Sequence, residues 1–401
     1  MRRAAIVTIL CLSAAACGRT ANTPAQQGAL DAGVRELADA YIDGFFRQFP
    51  EAATSYSLAD RPHDRLSDLS PASRALRATH AILREALESA VATRVCRSEL
   101  WNVSQMTGWH VSLGYLVTIQ PTGGDKARQE SLARWGALPQ FLDTEAANLR
   151  EGMKLGYTAP KHIVQIVIRQ TRQLAALPVD ESPFSAPARA DRTLEFQARV
   201  RTLVSEQIAP AIRRYADFLE REYLPAAREA IAVAANPDGE RCYAAGVRAM
   251  STLPKSAQEV HDIGLREGAR IDAEMKLFSG DLDRLGMLSS QNWRAARLVV
   301  DTGLHALGWT RQQAIEYMLA HTAQSAESAA SEVDRYIILP GQATAYMLGR
   351  LEILAAREEA RRAAGSGFDI KAFHDRVLED GAVPLTFLRA KITESFRASG
   401  S

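Results

Sequence analysis

Four polar residues in one stretch have the spacing to do chemistry together. Arg294, Arg297, Asp301 and His305 recur at intervals of three, four and four, so a helix through them carries all four on one face. Val299, Val300 and Leu304 then pack on the other side. On such a face Asp301 can fix the His305 tautomer and leave the second ring nitrogen for a substrate or a metal. The competing reading is an ion-pair ladder along the wet side of an ordinary helix. A second set is Asp334-Arg335-Tyr336-Ile337, followed by Pro340-Gly341-Gln342-Ala343-Thr344-Ala345-Tyr346. Pro340-Gly341 ends one helix and Gln342 opens another, with Tyr346 one turn in. A phenol there can donate to a developing oxyanion, or sit at the core rim with its hydroxyl satisfied. The run Trp101-Asn102-Val103-Ser104-Gln105-Met106-Thr107-Gly108-Trp109-His110 suits a pocket wall and equally a packed corner between helices.

What these residues lack is a partner motif. A helical His-Glu-x-x-His sets two imidazoles one turn apart, with the Glu beside a metal-bound water. The histidines are His63, His80, His110, His162, His261, His305, His321 and His374, and none is followed by Glu. There is no Gly-x-Ser-x-Gly elbow, no Walker-type loop and no Gly-x-Gly-x-x-Gly after a strand.

The elements that must position these residues are helical. At 401 residues and 47% hydrophobic content the chain can bury a large core. Its 48 basic and 47 acidic residues form no basic stripe, which argues against nucleic acid as a partner. Apolar spacing predicts helices over 31–49, from Ser70-Pro71 onward, and over 129–155, 160–176, 192–230, 256–278, 292–307, 311–321, 328–338, 342–363, 370–378 and 384–395. Ser256-x-x-Glu259 and Thr310-x-x-Gln313 read as capping boxes. Pro210 and Pro225 should kink or break the long middle helix. A short strand is expected around Val111–Ile119. The fold class is all-α, one large helical domain.

Residues 1–16 read as a signal peptide: Arg2 and Arg3, an apolar run over Ala4–Leu12, then small residues before Cys17. The run is too short for a permanent membrane span. Ser13-Ala14-Ala15-Ala16-Cys17-Gly18 resembles a bacterial lipobox, which predicts lipidation of Cys17, residues 17–28 as a tether, and membrane anchoring; plain cleavage near the same alanines is the alternative. The expected place is the cell envelope, facing the periplasm, with Gly18 rather than Asp after the lipid Cys favouring the outer membrane. Cys96 and Cys242 are then the cysteines left to the exported fold. A disulfide between them is predicted, with two free buried thiols as the alternative.

Taken together, these strings resemble the bacterial domain-of-unknown-function 885 (DUF885) family, itself similar to helical gluzincin-type zinc metallopeptidases. The carrying segments are Trp101–Trp109, Ala133-Arg134-Trp135, Asp143-Thr144-Glu145, Tyr157-Thr158-Ala159-Pro160, Asn236–Tyr243, His261–Leu265, Arg294–His305, Asp334–Gly349 and Gly381–Leu385. The resemblance implies an exported helical protein with a peptidase-like cleft. It also implies a His-Glu-x-x-x-Gly-His-His type string and a later Glu-Gly-Trp segment, which together hold zinc. Here the flanking segments abut at Ala273-Glu274-Met275-Lys276, so the zinc-site helices read as deleted. No cofactor is expected and no metal ligand is assigned. Residues 29–275 and 276–398 are then N- and C-terminal parts of the same domain. Arg297, Asp301, His305, Gln342 and Tyr346 are expected to face the cleft, and Met347 stands where a Lys is common in the family.

The function expected on these grounds is that of a non-catalytic, peptidase-like lipoprotein that binds peptide through the remaining cleft wall. Loss of a structural layer also predicts an exposed apolar groove, a partly open fold and self-association. The alternatives are an active metal-dependent hydrolase with a site rebuilt from His261, Glu267, Glu274 and His305, or the truncated product of an intact peptidase gene.

Overall fold

In the computed structural model, residues 24–49, 52–53, 56, 58, 60–61, 71–277 and 282–397 are described; Cys17 and its lipobox lie outside them. The described chain is all-α. Its helices are α1 (Pro24–Gln48), α2 (Pro71–Ala92), α3 (Trp109–Thr118), α4 (Asp125–Gly136), α5 (Leu138–Leu155), α6 (Lys161–Ala176), α7 (Leu194–Leu203) and α8 (Ala209–Phe218). There follow α9 (Gly239–Ser251), α10 (Ala257–Lys276), α11 (Leu282–Ala306), α12 (Arg311–His321), α13 (Ala326–Ile338), α14 (Ala345–Ala364), α15 (Ile370–Leu378) and α16 (Leu385–Arg397). No strand occurs among the described residues; one isolated bridge pairs Pro160 with Arg228.

Several helix boundaries follow from local chemistry. Both expected capping boxes form: the Ser256 hydroxyl accepts from the Glu259 N–H, and Thr310 does the same for Gln313, each with the reciprocal bond present. The expected 129–155 helix is two helices, because the chain turns at Gly136-Ala137 and Pro139 starts α5. The 192–230 segment is interrupted too. Residues Val204–Ile208 and Leu219–Tyr223 are π-helical, each one residue or so ahead of Pro210 or Pro225. A prolyl nitrogen cannot donate to the preceding turn, and one wider turn absorbs that missing bond while the rod continues. The expected strand at Val111–Ile119 is instead α3. Trp109 and Val117 are buried from it, while Val111, Tyr115 and Ile119 lie outward at intervals of four. Packing of a 3.6-residue period overrode β-rich composition.

The chain divides into two units. Among the described residues, one takes those within 93–247 and 255–344 and the other those within 1–92, 248–254 and 345–401. This division crosses the expected 29–275 and 276–398 parts rather than following their border. The larger unit has a core running through Trp135, Leu142, Ile163, Phe196, Ile212, Tyr223, Val300 and Tyr336. Cys96 and Cys242 are joined there by a disulfide, their Cα atoms 4.7 Å apart. The smaller unit has a core of Ala356, Ala360, Phe373, Leu388, Ile392 and Phe396.

The expected junction, Ala273-Glu274-Met275-Lys276, falls in the last turn of α10 in the larger unit, and α10 and α11 pack along each other as an antiparallel pair. His261 meets Thr302, Gly264 meets Val299 and Leu298, and Asn292 meets Asp272. A Cβ on Gly264 would stand 2.7 Å from Val299 Cγ2, so glycine is what lets the helices approach. The two helices that flank residues 278–281 therefore pack directly on each other along these contacts. Apolar surface near the expected junction comes from Leu265, Leu277, Leu282 and Met287.

Candidate functional site

The polar face of α11 points into the larger unit. Asp301 is 0% exposed and His305 1%. A helix face carrying such charged and polar groups is stable there only if each is answered. The Asp301 carboxylate accepts from the Tyr243 hydroxyl at 2.7 Å and from the Gly341 N–H at 2.9 Å. Burial pushes its acid up to about 7, against the pull of Tyr243 and the backbone N–H groups of Gly341 and Ala343. Gly341 holds φ 83°, and a Cβ there would lie 2.7 Å from the Val247 nitrogen. Asp301 thus pins a left-handed turn that only glycine fits.

His305 is held from two sides. The Val233 N–H donates to Nδ1 at 3.1 Å, so Nδ1 carries the lone pair and Nε2 carries the proton. Nε2 then donates to the Tyr336 carbonyl at 3.0 Å. Burial lowers the imidazole to about 4, keeping it neutral. The Tyr243 ring lies over it at 5.1 Å. Two backbone groups, not Asp301, set the tautomer, and neither nitrogen is left for a substrate or metal. The expectation that Asp301 and His305 face a cleft is corrected by their burial: on this face the i, i+4 spacing serves core satisfaction.

Arg297 lies under Trp293, its guanidinium carbon 4.0 Å from the ring centroid. Its Nε donates to the Tyr336 hydroxyl at 3.1 Å and Nη2 to Glu332 at 3.1 Å. Glu332 also receives Tyr336 at 2.7 Å and Arg335 at 2.8 Å. Burial alone would raise Glu332, yet Arg335, Tyr336 and Arg297 outweigh it and hold the carboxylate below its ordinary range. Arg335 Nη1 donates on to the side-chain amide oxygen Oε1 of Gln342 at 2.5 Å. Sequence reasoning missed Glu332, Trp293 and Tyr243 as members of this network. The spacing of Glu332 to Arg335 and Tyr336, three and four residues, was the signal available for the first. Tyr346 belongs to the smaller unit and is 48% exposed; Met347 beside it is buried.

The Trp101–His110 segment forms a packed corner. Trp101 Nε1 donates to the Cys96 carbonyl, and Asn102 donates to Glu145 at 3.0 Å. Glu145 is buried, and that burial raises it to about 7, with Asn102 pulling the other way. His110 shares a hydrogen bond with Gln170 at 2.9 Å. At the edge of this corner His162 and Arg311 both meet Asp334, the arginine through two bonds of 2.6 and 3.0 Å.

A zinc ion does not fit these residues. Among the described residues no three His, Cys, Asp or Glu side chains converge as metal donors. His261 Nδ1 is bonded to Thr302 at 2.8 Å, Glu267 to Arg270, and Glu274 to Arg270 and Arg284. The residues named for a rebuilt hydrolytic site are each tied elsewhere.

The family described as "Bacterial protein of unknown function (DUF885)" matches residues 47–281 and, separately, 273–392, so the match breaks at the expected junction. No curated protein sequence matches the chain. The fold is similar to the crystal structure of a "putative lipoprotein" from Colwellia psychrerythraea, with TM-score 0.70 and 18% identity, covering 91% of this chain and 99% of that one. The fold described here is thus nearly the whole of that solved chain.

Proposed function

The chain belongs to the DUF885 family of bacterial proteins, and from that premise we propose that it is a non-catalytic member, anchored by lipid at the cell envelope, that binds rather than hydrolyses. The observation that carries this reading is His305, whose two ring nitrogens are both held by backbone. With Asp301 and Arg297 equally committed, the polar residues best spaced for chemistry act as structural ties. The similarity over 99% of a solved chain supports the form without the zinc-site helices as a fold in its own right, against a damaged gene product. Anchoring is supported by the Ala14-Ala15-Ala16-Cys17 string and by what the similar structure is called. Gly18 after the lipid cysteine favours the outer membrane. By family resemblance the ligand class is peptide.

The test is equilibrium dialysis against zinc together with hydrolysis assays on a mixed peptide pool. The expected result is sub-stoichiometric zinc and no cleavage. Stoichiometric zinc with cleavage abolished by a chelator would overturn the reading. Metabolic labelling with a clickable fatty acid, lost on Cys17→Ala, tests the anchor.

A further inference from the structure

The smaller unit holds a cleft of about 600 Å³ between the end of α1, the middle of α2, the last turn of α9 and the start of α16. Its size falls within the range of small-molecule sites. The floor is aromatic: the rings of Phe45, Phe49 and His80 stand 5.3 Å apart, centroid to centroid, in all three pairings. Pro384 and Phe387 line the side that α16 contributes. Tyr41 stacks nearly parallel on His80 at 5.6 Å, and its hydroxyl shares a hydrogen bond with Nε2. Burial, helped by the nearby Arg84, lowers His80, so the floor carries no charge at neutral pH.

The rim cancels its own charge. Arg84 pairs with Glu88 at 2.7 Å, and Arg248 pairs with both Glu85 and Glu88. Two guanidiniums therefore answer two carboxylates at the mouth. An ionic ligand would have to break one of these pairs, whereas an uncharged ring meets aromatic edges and faces below and leaves the pairs intact.

We propose that this cleft binds an uncharged aromatic group, supplied by a small molecule or by the aromatic side chain of a peptide. The proposal is independent of whether the chain hydrolyses anything. The test is fluorescence titration of the purified full-length protein with N-phenyl-1-naphthylamine, beside its anionic relative 8-anilinonaphthalene-1-sulfonate. Saturable binding of the neutral probe is expected, about tenfold tighter than the anion. Ala81→Trp, which fills the cleft from α2, should weaken the neutral probe by at least about tenfold with circular dichroism unchanged. If that variant fails to fold, Thr386→Trp at the exposed rim replaces it. Displacement by N-acetyltryptophanamide points to a peptide side chain; displacement by 2-naphthol alone points to a free small molecule. No saturable binding, equal affinity for the anion, or wild-type affinity in a folded filled variant would overturn the proposal.

Discussion

The Val233 N–H donates to His305 Nδ1 at 3.1 Å across 72 residues of sequence, and this bond fixes which nitrogen of the imidazole holds the proton. Because Nε2 then serves the Tyr336 carbonyl, His305 is a bridge between two loop-and-helix backbones in the larger unit.

Removing that bridge should weaken the fold without touching metal content. His305→Ala leaves a buried N–H and a buried C=O without partners, a loss of about 2–4 kcal/mol. His305 near 4 lies below its unfolded value of 6.5, so its stabilisation is fully present above pH 6.5 and fades as pH falls toward 4. Urea unfolding should therefore show a smaller deficit at about pH 4.5 than at about pH 7.5. A deficit independent of pH would contradict the neutral, doubly bonded imidazole.

Glu145 gives the opposite sign. Its folded value of about 7 lies above the ordinary 4.5, so ionising it weakens the fold progressively between those two pH values. Glu145→Gln keeps an acceptor for Asn102 and removes the charge. The variant should match wild type near pH 4.5 and exceed it by about 2–3 kcal/mol above pH 7. Chemical denaturation at three pH values reads this directly.

Two glycines with positive φ should respond differently to the same change. Gly341→Ala meets the Val247 backbone as well as left-handed strain, and should lose about 3 kcal/mol or more. Gly308, at φ 72°, has open space where a Cβ would go, so Gly308→Ala should lose only about 1 kcal/mol. Equal losses in thermal unfolding would show that contact with Val247 is unimportant.

The disulfide closes a separation of 146 residues within the larger unit. Restricting so long a loop in the unfolded chain is worth roughly 2–5 kcal/mol. Reductant, or paired Cys96→Ala and Cys242→Ala, should lower the unfolding free energy by about that much, while reductant should not affect the double variant. Alkylation of both thiols before reduction, seen by mass spectrometry, would remove the bond from the account.

Much of this protein is written locally in its sequence. The capping boxes at Ser256 and Thr310 formed as spaced, because every atom of a capping box lies within four residues. The all-α class followed from apolar periodicity, and the discontinuity expected near Glu274-Met275 came from the family resemblance; the family match is in two pieces there, 47–281 and 273–392. The direction of a polar helix face was not local. Arg297, Asp301 and His305 have a spacing that suits a wet catalytic face and a satisfied core face equally. What separated the two was Val233, Tyr243, Glu332 and the Gly341 turn arriving from elsewhere in the chain. The same holds for α3, where neighbours rather than composition set the period. Sequence alone determined the all-α class, most of the helices and the two capping boxes, since these rest on contacts a few residues apart. Tertiary structure decided whether the polar residues react or merely hold, since a buried group's free lone pairs depend on partners dozens of residues away.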